Sequence, residues 1–268
     1  MLSGRLQAHV IHRRSRLDRL ERFLRWNAHH PVDWHWHDAV EACEVDRNDQ
    51  TVMAAPDLDL RDTAIAAALS HRRQWQACVE DATARLVFED DACARNGFAP
   101  LVAKVMSALT AEGAMTALPS VGAMSALMAV DMIYFGYNLD GAVLLELPDK
   151  MFSRVQFGDM AMAGPAYFDA YARTAPMVSP PALYRGYLNW GLLAYAVSPA
   201  GAAKLLAQCF PLRPVALEMF ELGRVHEGLG LDAQVNAALQ RQAVIALSCF
   251  PPLVIGPNGD SDIDPSKR

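Results

Sequence analysis

The chain has 268 residues, of which 52% are hydrophobic and 20% charged, and its formal net charge is −6. This composition is that of a globular protein with a full core, and it excludes a collagen-like or disordered chain. The negative net charge gives no general electrostatic reason to bind nucleic acid, so we expect no nucleic-acid partner. Five scattered cysteines without a Cys-x-x-Cys pair argue against disulfides and favour a reducing cytoplasm.

The N-terminal segment predicts two strands and the helix between them. "LQAHVI" (residues 6–11) is typical of a strand, and "VDWHW" (residues 32–36) alternates like a second one. Ser15 is expected to cap the helix. The apolar residues of that helix follow a helical period: Leu17, Leu20, Phe23 and Leu24.

The next segment predicts a long helix and a buried strand. Residues 47–60 are typical of a loop, and a helix is expected from Asp62, as its N-cap, to about Glu80. "RLVFE" (residues 85–89) predicts a strand. Helices should follow between residues 100 and 129, and their Ala/Met-rich part is interrupted by Glu112 and Pro119, so we interpret it as buried rather than membrane-spanning.

In the second half of the sequence, predicted strands and helices continue to alternate. Strands are predicted at residues 131–138, 142–147, 192–199 and 243–248, and helices at residues 200–210 and 232–242. The irregular region from residue 149 to 185 is expected to hold a mobile lid. The alternation favours an α/β fold with a largely parallel sheet in a single domain over residues 1–250, followed by a tail at 251–268.

Three consecutive acids, Glu89, Asp90 and Asp91, end the strand at residues 85–89. In an open α/β sheet, ligands bind beyond the carboxyl ends of the strands. Two carboxylates about 4 Å apart repel by roughly 4 kcal/mol at an intermediate dielectric constant. Mg²⁺ or Mn²⁺ would reverse that repulsion, because both prefer oxygen ligands. The alternative is a solvated turn or a helix N-terminus, where acids are common.

The stretch "DWHWHD" places His35 and His37 on one face of a strand. Without a cysteine or a third ligand nearby, this pair does not predict a zinc site. Trp34 and Trp36 form either a wall of the functional site or part of the core.

Four motifs occur in one order along the chain: "ALSHRRQW" (68–75), "LVFEDDA" (86–92), "DMIYFG" (131–136) and "GLLAYAVSPAGAAKLL" (191–206). Together they resemble those of glycosyltransferase family 25, the lipooligosaccharide-type hexosyltransferases, and the resemblance covers roughly residues 6–250. The last motif matches the family at these positions: Gly191, Tyr195, Ser198, Gly201 and Ala202.

The resemblance implies a GT-A-like fold with a Rossmann-like nucleotide-binding half, a UDP-sugar donor, Mn²⁺ or Mg²⁺ dependence and inversion at the anomeric carbon. The acidic run takes the place of the family's acid-x-acid element, so Glu89 and Asp91 become candidate metal ligands, and Asp90 a donor contact. A metal would stabilise the departing diphosphate as a Lewis acid. The acceptor hydroxyl also needs a base on the opposite face of the sugar.

Two further acids match the family. Asp232 is the candidate catalytic base, and the alternative is that it caps its own helix. Asp131 is a candidate contact to the donor or the metal, and the alternative is a structural acid at the start of a buried strand.

The remaining candidates lie on the donor side. Ser70 and His71 belong to the "LSH" motif, and His71 is expected to reach the donor phosphate or the carboxylates unless it is a packed core histidine. Arg14 and Arg16 follow the first strand and are candidate phosphate contacts, with a solvated helix N-terminus as the alternative. Trp75 shares the helical face of His71, which favours core packing.

We therefore expect a cytoplasmic enzyme that moves galactose or glucose from a UDP donor to a surface glycan such as lipooligosaccharide or capsular polysaccharide. A lipid-linked acceptor would require peripheral docking at the inner membrane, with the N-terminal arginine helix as the candidate contact. The sequence departs from the family at His9, His12 and Ala64. These departures leave two alternatives open: a non-catalytic sugar-binding or scaffold relative, and a metal-dependent phosphohydrolase that uses the same acids.

Overall fold

The computed structural model describes residues 5–110, 130–137, 142–147, 151–156, 164–177, 181–219 and 223–257. The strands within these ranges are β1 (Leu6–His12), β2 (Val32–Asp38), β3 (Arg85–Glu89), β4 (Cys93–Ala94), β5 (Met132–Gly136), β6 (Ala142–Glu146), β7 (Phe152–Gln156), β8 (Ala182–Leu188), β9 (Ala194–Val197), β10 (Val215–Met219), β11 (Arg224–Gly228), β12 (Ala246–Phe250) and β13 (Val254–Ile255). The helices are α1 (Leu17–Asn27), α2 (Asp62–Glu80), α3 (Phe98–Thr110), α4 (Pro165–Ala172), α5 (Pro199–Cys209) and α6 (Leu231–Gln240).

One large sheet carries most of the strands, in the order β2-β1-β3-β9-β5-β12-β8-β6-β7, and β10 pairs with β11 apart from it. Among the described strands, parallel pairing joins β1 to β2 and β3, and β5 to β12 and β13. The other neighbours are antiparallel. The predicted α/β class is therefore confirmed, but the sheet is mixed, because β9 and β8 run against the parallel strands.

Helices cover both faces of the sheet. On one face, Trp75 of α2, Leu205 of α5 and Val235 of α6 belong to one buried cluster. On the other face, Phe23 of α1 and Phe98 of α3 belong to a second. Neighbouring residues of a strand alternate between the two clusters, as the two-residue period of a strand requires. All five cysteines are free, and four of them are buried.

The bounds of α2 agree with the sequence prediction, whereas the orientation of α1 does not. Arg61, not Asp62, is the N-cap of α2, and Arg16, not Ser15, is that of α1. Of the apolar positions predicted for α1, Phe23 is buried, but Leu17 is 64% exposed and Leu24 42%, so the predicted face is wrong at these two leucines. The buried face follows the same period from a charged residue instead: Arg19, Phe23, Trp26 and Asn27.

Regular elements also occur where a lid and a tail were expected. Strand β7, helix α4 and strand β8 lie in the region from residue 149 to 185. Strand β13 pairs with β4 and β5 and is buried, so the packed structure extends past residue 250. The helix expected over residues 111–129 and the end of the predicted tail, 258–268, lie outside the described residues. Within the described ranges, no helix is long and apolar enough to cross a membrane.

The turn from β9 into α5 explains part of the "GLLAYAVSPAGA" motif. The hydroxyl of Ser198 accepts a hydrogen bond from the backbone N–H of Gly201 at 3.0 Å and so caps α5. A Cβ on Gly201 would lie 2.2 Å from the backbone oxygen of Asp131, so only glycine fits there. The motif thus fixes α5 against the start of β5.

Candidate active site

A cavity of about 260 Å³ opens where β1 and β3 end. Three walls are formed by the first half of α2, by the acidic run after β3, and by residues 191–193 together with the start of α6. Because β1 and β3 are parallel, their carboxyl ends meet at this edge of the sheet. The edge is where an open α/β sheet binds ligands.

Asp90 lies on the cavity wall, but both of its oxygens are engaged. Oδ2 accepts a hydrogen bond from the backbone N–H of Arg13 at 3.2 Å and lies 3.0 Å from Nδ1 of His12. Oδ1 accepts from the guanidinium of Arg19 at 3.1 Å. The residue is only 4% exposed. Asp90 therefore anchors β3 to the segment after β1. These contacts occupy the two carboxylate oxygens that a donor contact would need.

Asp91 meets the opposite environment. Its Oδ1 is buried and has no hydrogen-bond partner within the described part of the chain, and its Oδ2 lies 3.5 Å from Arg19. Burial raises the pKa of Asp91 to about 7, against the opposing charge of Arg19. A buried carboxylate oxygen without a partner is costly. A cation bound at Oδ1 would remove that cost.

Glu89 faces the same cavity and is held by a histidine. Its Oε1 lies 3.1 Å from Nε2 of His71, and its side chain is 35% exposed. The other ring nitrogen of His71, Nδ1, lies 3.0 Å from the hydroxyl of Tyr195. Trp75 donates its indole N–H to the same hydroxyl at 2.9 Å. His71 therefore does reach the acidic run, as the sequence predicted, and Trp75 lies in the core, as expected.

Ser70 is next to the cavity but is used by the backbone. Its hydroxyl accepts from the N–H of Val40 at 2.9 Å and donates to the backbone oxygen of Ala66 at 2.8 Å. It thereby holds the segment after β2 against α2, and both of those elements line the cavity.

Asp232 lies in the first turn of α6 and lines the cavity. Gly230 is the N-cap of α6, so the alternative interpretation of Asp232 as that cap is wrong. Its Oδ2 accepts a hydrogen bond from the backbone N–H of Gly191 at 2.9 Å. Gly191 has a φ of 86°, a conformation that favours glycine. Asp232 is therefore held in the cavity lining by the backbone of Gly191.

The arginines predicted to meet the donor do not line the cavity. Arg14 is exposed and pairs with Asp38, and Arg16 pairs with Asp18 at 2.8 Å. The arginines that do line it are Arg13 and Arg19. A sequence signal for Arg19 existed, because it lies four residues before Phe23 and seven before Trp26, on the buried face of α1.

Asp131 lies at the start of β5, and the register of β3 and β5 on β9 places it at the edge of the sheet opposite the acidic run. Its carboxylate accepts from Nζ of Lys204 at 2.8 Å and from the backbone N–H of Ile245 at 2.8 Å. It is 1% exposed and does not line the cavity. The structure therefore does not bring Asp131 to the other candidates, and its contacts are those of a structural acid.

Two of the three departures from the family lie at the site. His12 contacts Asp90, and Ala64 lines the cavity. His9 instead joins the pair predicted to share a face: its ring lies 5.4 Å from that of His35 and 5.0 Å from that of His37, between centroids. In the ranges described, no group of three or more His, Cys, Asp or Glu side chains is arranged to hold a metal ion.

A divalent cation nevertheless fits the acidic run. Mg²⁺ is commonly held by one or two carboxylates together with substrate phosphates, not by a complete protein cage. Asp91 offers a buried oxygen without a partner, and of the two oxygens of Glu89 only Oε1 has a partner among the described residues. Glu89 and Asp91 would hold the ion, whereas Asp90 is already engaged.

Residues 8–121 match the model of glycosyltransferase family 25 (LPS biosynthesis protein). The match confirms the resemblance over residues 8–121, which contain the motifs at residues 68–75 and 86–92, and it spans most of β1, α2, β3 and the acidic run. It supports glycosyltransferase activity with a sugar donor and a glycan acceptor. The cavity residues of α6 and of residues 191–193 lie beyond it. A comparison with curated proteins found no match.

Proposed function

We propose that this chain, whose residues 8–121 carry the glycosyltransferase family 25 match, transfers a hexose from a UDP-sugar to a surface glycan in a metal-dependent, inverting reaction. The observation that carries the proposal is Oδ1 of Asp91, which has no hydrogen-bond partner among the described residues and lies beside Glu89 at the carboxyl ends of parallel strands. The parallel strands β2, β1 and β3 with α1 and α2 would be the nucleotide-binding half of a GT-A-like fold.

The acids that line the cavity suggest a division of labour. Glu89 and Asp91 would bind Mn²⁺ or Mg²⁺ on one wall, and the ion, when bound, supplies Lewis-acid stabilisation of the diphosphate. Asp232 lines the same cavity and would accept the proton of the acceptor hydroxyl. The backbone N–H of Gly191 orients its Oδ2 at 2.9 Å. An attack from the side opposite the leaving group inverts the anomeric centre.

The donor would lie along α2. The part of α2 that lines the cavity consists mainly of small side chains, including Ala64, Ala67 and Ala68, which leave room for a flat ring. Arg13 and Arg19 also line the cavity and contribute positive charge near the acids. Phosphate groups are favoured near such guanidinium groups.

Calorimetric titration of UDP with and without Mn²⁺ tests the proposal, followed by a panel of nucleotide sugars assayed for transfer and hydrolysis. We expect UDP to bind only with the metal and UDP-galactose or UDP-glucose to be turned over. Metal-independent binding or none would contradict the enzyme and favour the non-catalytic sugar-binding relative. Release of phosphate from simple phosphate esters would favour the phosphohydrolase.

We also propose that α1 is the contact with an anionic membrane that carries a lipid-linked acceptor. Leu17 and Leu24 are exposed on α1, and the side chains of Arg14 and Arg25 in the same segment are 78% and 47% exposed. Apolar and basic groups together favour an anionic lipid surface. Sedimentation with anionic vesicles should deplete the wild type and not Leu17→Glu/Leu24→Glu, and equal depletion would contradict this role.

A further inference from the structure

Tyr195 links α2 to the acidic run through a chain of hydrogen bonds. Val87 of β3 and Tyr195 of β9 are register partners, so their side chains lie on the same face of the sheet, and Glu89 lies on that face two residues further along. His71 and Trp75 are one helical turn apart on α2, which packs against this face. The hydroxyl of Tyr195 contacts both of them.

The direction of each bond follows from the chemistry of the groups. An indole N–H can only donate, so the hydroxyl of Tyr195 accepts from Trp75. The hydroxyl proton is then available for Nδ1 of His71, at 3.0 Å. A neutral histidine whose Nδ1 accepts must carry its proton on Nε2, and Nε2 lies 3.1 Å from the carboxylate of Glu89.

Burial of these side chains fixes the directions of their hydrogen bonds. Trp75 and Tyr195 are both 0% exposed and His71 is 3% exposed, so water does not compete for these bonds. Burial also raises the pKa of Tyr195 well above its usual value, which keeps the phenol protonated. The indole N–H of Trp75, the hydroxyl of Tyr195 and both ring nitrogens of His71 each have a hydrogen-bond partner. If one of these bonds ran in the opposite direction, one of these groups would be left without a partner.

We propose that Tyr195 is a positioning residue: its hydroxyl, held by Trp75, donates to Nδ1 of His71, which leaves Nε2 as the ring donor and thereby orients Glu89 toward the cavity. One oxygen of Glu89 is engaged and the other is presented to the ligand. The metal that Glu89 would meet rests on the proposed function, whereas the hydrogen-bond chain does not. Such outer partners of a ligating carboxylate typically change metal affinity by about 10- to 100-fold.

The test uses nitrogen NMR of the ligand-free protein labelled with ¹⁵N-histidine, at about pH 8, where an ordinary histidine is neutral. His71→Gln identifies the signal of His71. We expect a single Nε2-protonated ring in the wild type and also in Glu89→Gln, because Tyr195 alone suffices to fix it. Glu89 is partly exposed, so Glu89→Gln should fold. The double variant Glu89→Gln/Tyr195→Phe should give a mixture of tautomers.

A mixture in Glu89→Gln alone would overturn the proposal, since Glu89 and not Tyr195 would then fix the ring. An Nδ1-protonated ring in the wild type would overturn it as well. In transfer assays, His71→Gln should retain more activity than His71→Ala, because a glutamine amide can still donate to Glu89. Equal losses would contradict the positioning role. An inactive wild type with the expected NMR signals would instead refute only the proposed function.

Discussion

Asp90 and Asp91 are adjacent in the chain, yet their carboxylates have opposite surroundings. Asp90 is satisfied by His12, Arg19 and a backbone N–H, whereas Asp91 keeps a buried oxygen without a partner among the described residues. Both residues line the cavity, but the carboxylate of Asp90 is held through both of its oxygens. The acidic run therefore combines an anchor with a candidate ligand, and only the second should respond to metal.

Asp91→Asn should weaken Mn²⁺ affinity at least about tenfold, because it removes the negative charge of the carboxylate whose Oδ1 has no partner among the described residues. It should not destabilise the metal-free protein at about pH 8. The folded pKa of Asp91 is raised to about 7 from an unfolded value of about 3.9, so ionisation opposes folding as pH rises between these values. Calorimetry with Mn²⁺ and thermal unfolding measure the two effects.

Asp131→Asn is the matched control, since it changes an acid of the same type at the opposite edge of the sheet. It should lower the free energy of unfolding by about 1–3 kcal/mol through the loss of the contact with Lys204, and leave Mn²⁺ binding unchanged. Weakened Mn²⁺ binding in this variant and not in Asp91→Asn would reverse the assignment.

His9 should make stability sensitive to acid. Burial, followed by the charges of Arg85, His37 and His35, lowers its pKa to about 4, and Asp81 opposes the shift. The unfolded value is about 6.5, so the unfolded state binds more protons in between, and stability is lost as pH falls from about 6.5 to about 4. His9→Asn should flatten this dependence in thermal unfolding. The exposed His226→Gln is the control, and an equal effect there would contradict the prediction.

At the scale of the elements, α1 and α5 show what positions the cavity. Arg19 lies on the buried face of α1 and so points inward to the acidic run. The capped start of α5 fixes the turn that follows β9, the strand that contains Tyr195. Of these two helices, α1 places the side chain of Arg19 in the cavity, whereas α5 supports the cavity only indirectly, through its packing against the sheet. Substitutions in the packing contacts of either helix should therefore change stability before they change binding.

Gly201→Ala should destabilise the protein by about 1–3 kcal/mol, because the new Cβ would overlap the backbone oxygen of Asp131, which lies 2.2 Å from its ideal position. Chemical denaturation measures the loss. Gly164→Ala is the control, since a Cβ there meets nothing within 4 Å. An undiminished free energy of unfolding in Gly201→Ala would show that α5 can shift away from β5.

At the scale of the whole molecule, the cavity is assembled from distant parts of the chain. The acids come from residues 89–91, and the rest of the lining includes parts of α2 and residues 191–193 and 230–232. A ligand in the cavity would add contacts between segments that are far apart in sequence. Binding should therefore stabilise the chain as one unit.

Mn²⁺ and UDP together should raise the unfolding temperature. A ligand at about 100 times its dissociation constant adds about 2.7 kcal/mol, which corresponds to roughly 5–10 °C for a domain of this size. EDTA should abolish the shift, and each ligand alone should produce less than both together. An equal shift with UDP in EDTA would contradict a metal-bridged diphosphate.

Much of the fold was predictable because it depends on local patterns. The bounds of α2, the strand at β3 and the family resemblance follow from periodicity and from motifs in order. The same patterns failed for α1, because an arginine on the apolar face is stabilised by acids 71 and 72 residues away in sequence. They also failed for β8 and β13, whose pairing depends on strands distant in sequence, and for β7, which pairs with its neighbour β6.

The sequence by itself determined the α/β class, the acidic run after β3 and the set of candidate side chains. Only the tertiary structure decided which of them meet. It gathers Glu89, Asp91, His71 and Asp232 around one cavity, replaces Arg14 and Arg16 with Arg13 and Arg19, and places Asp131 at the far edge. The physical reason is that strand direction and register, which set the edge to which each residue belongs, result from long-range pairing and not from local sequence.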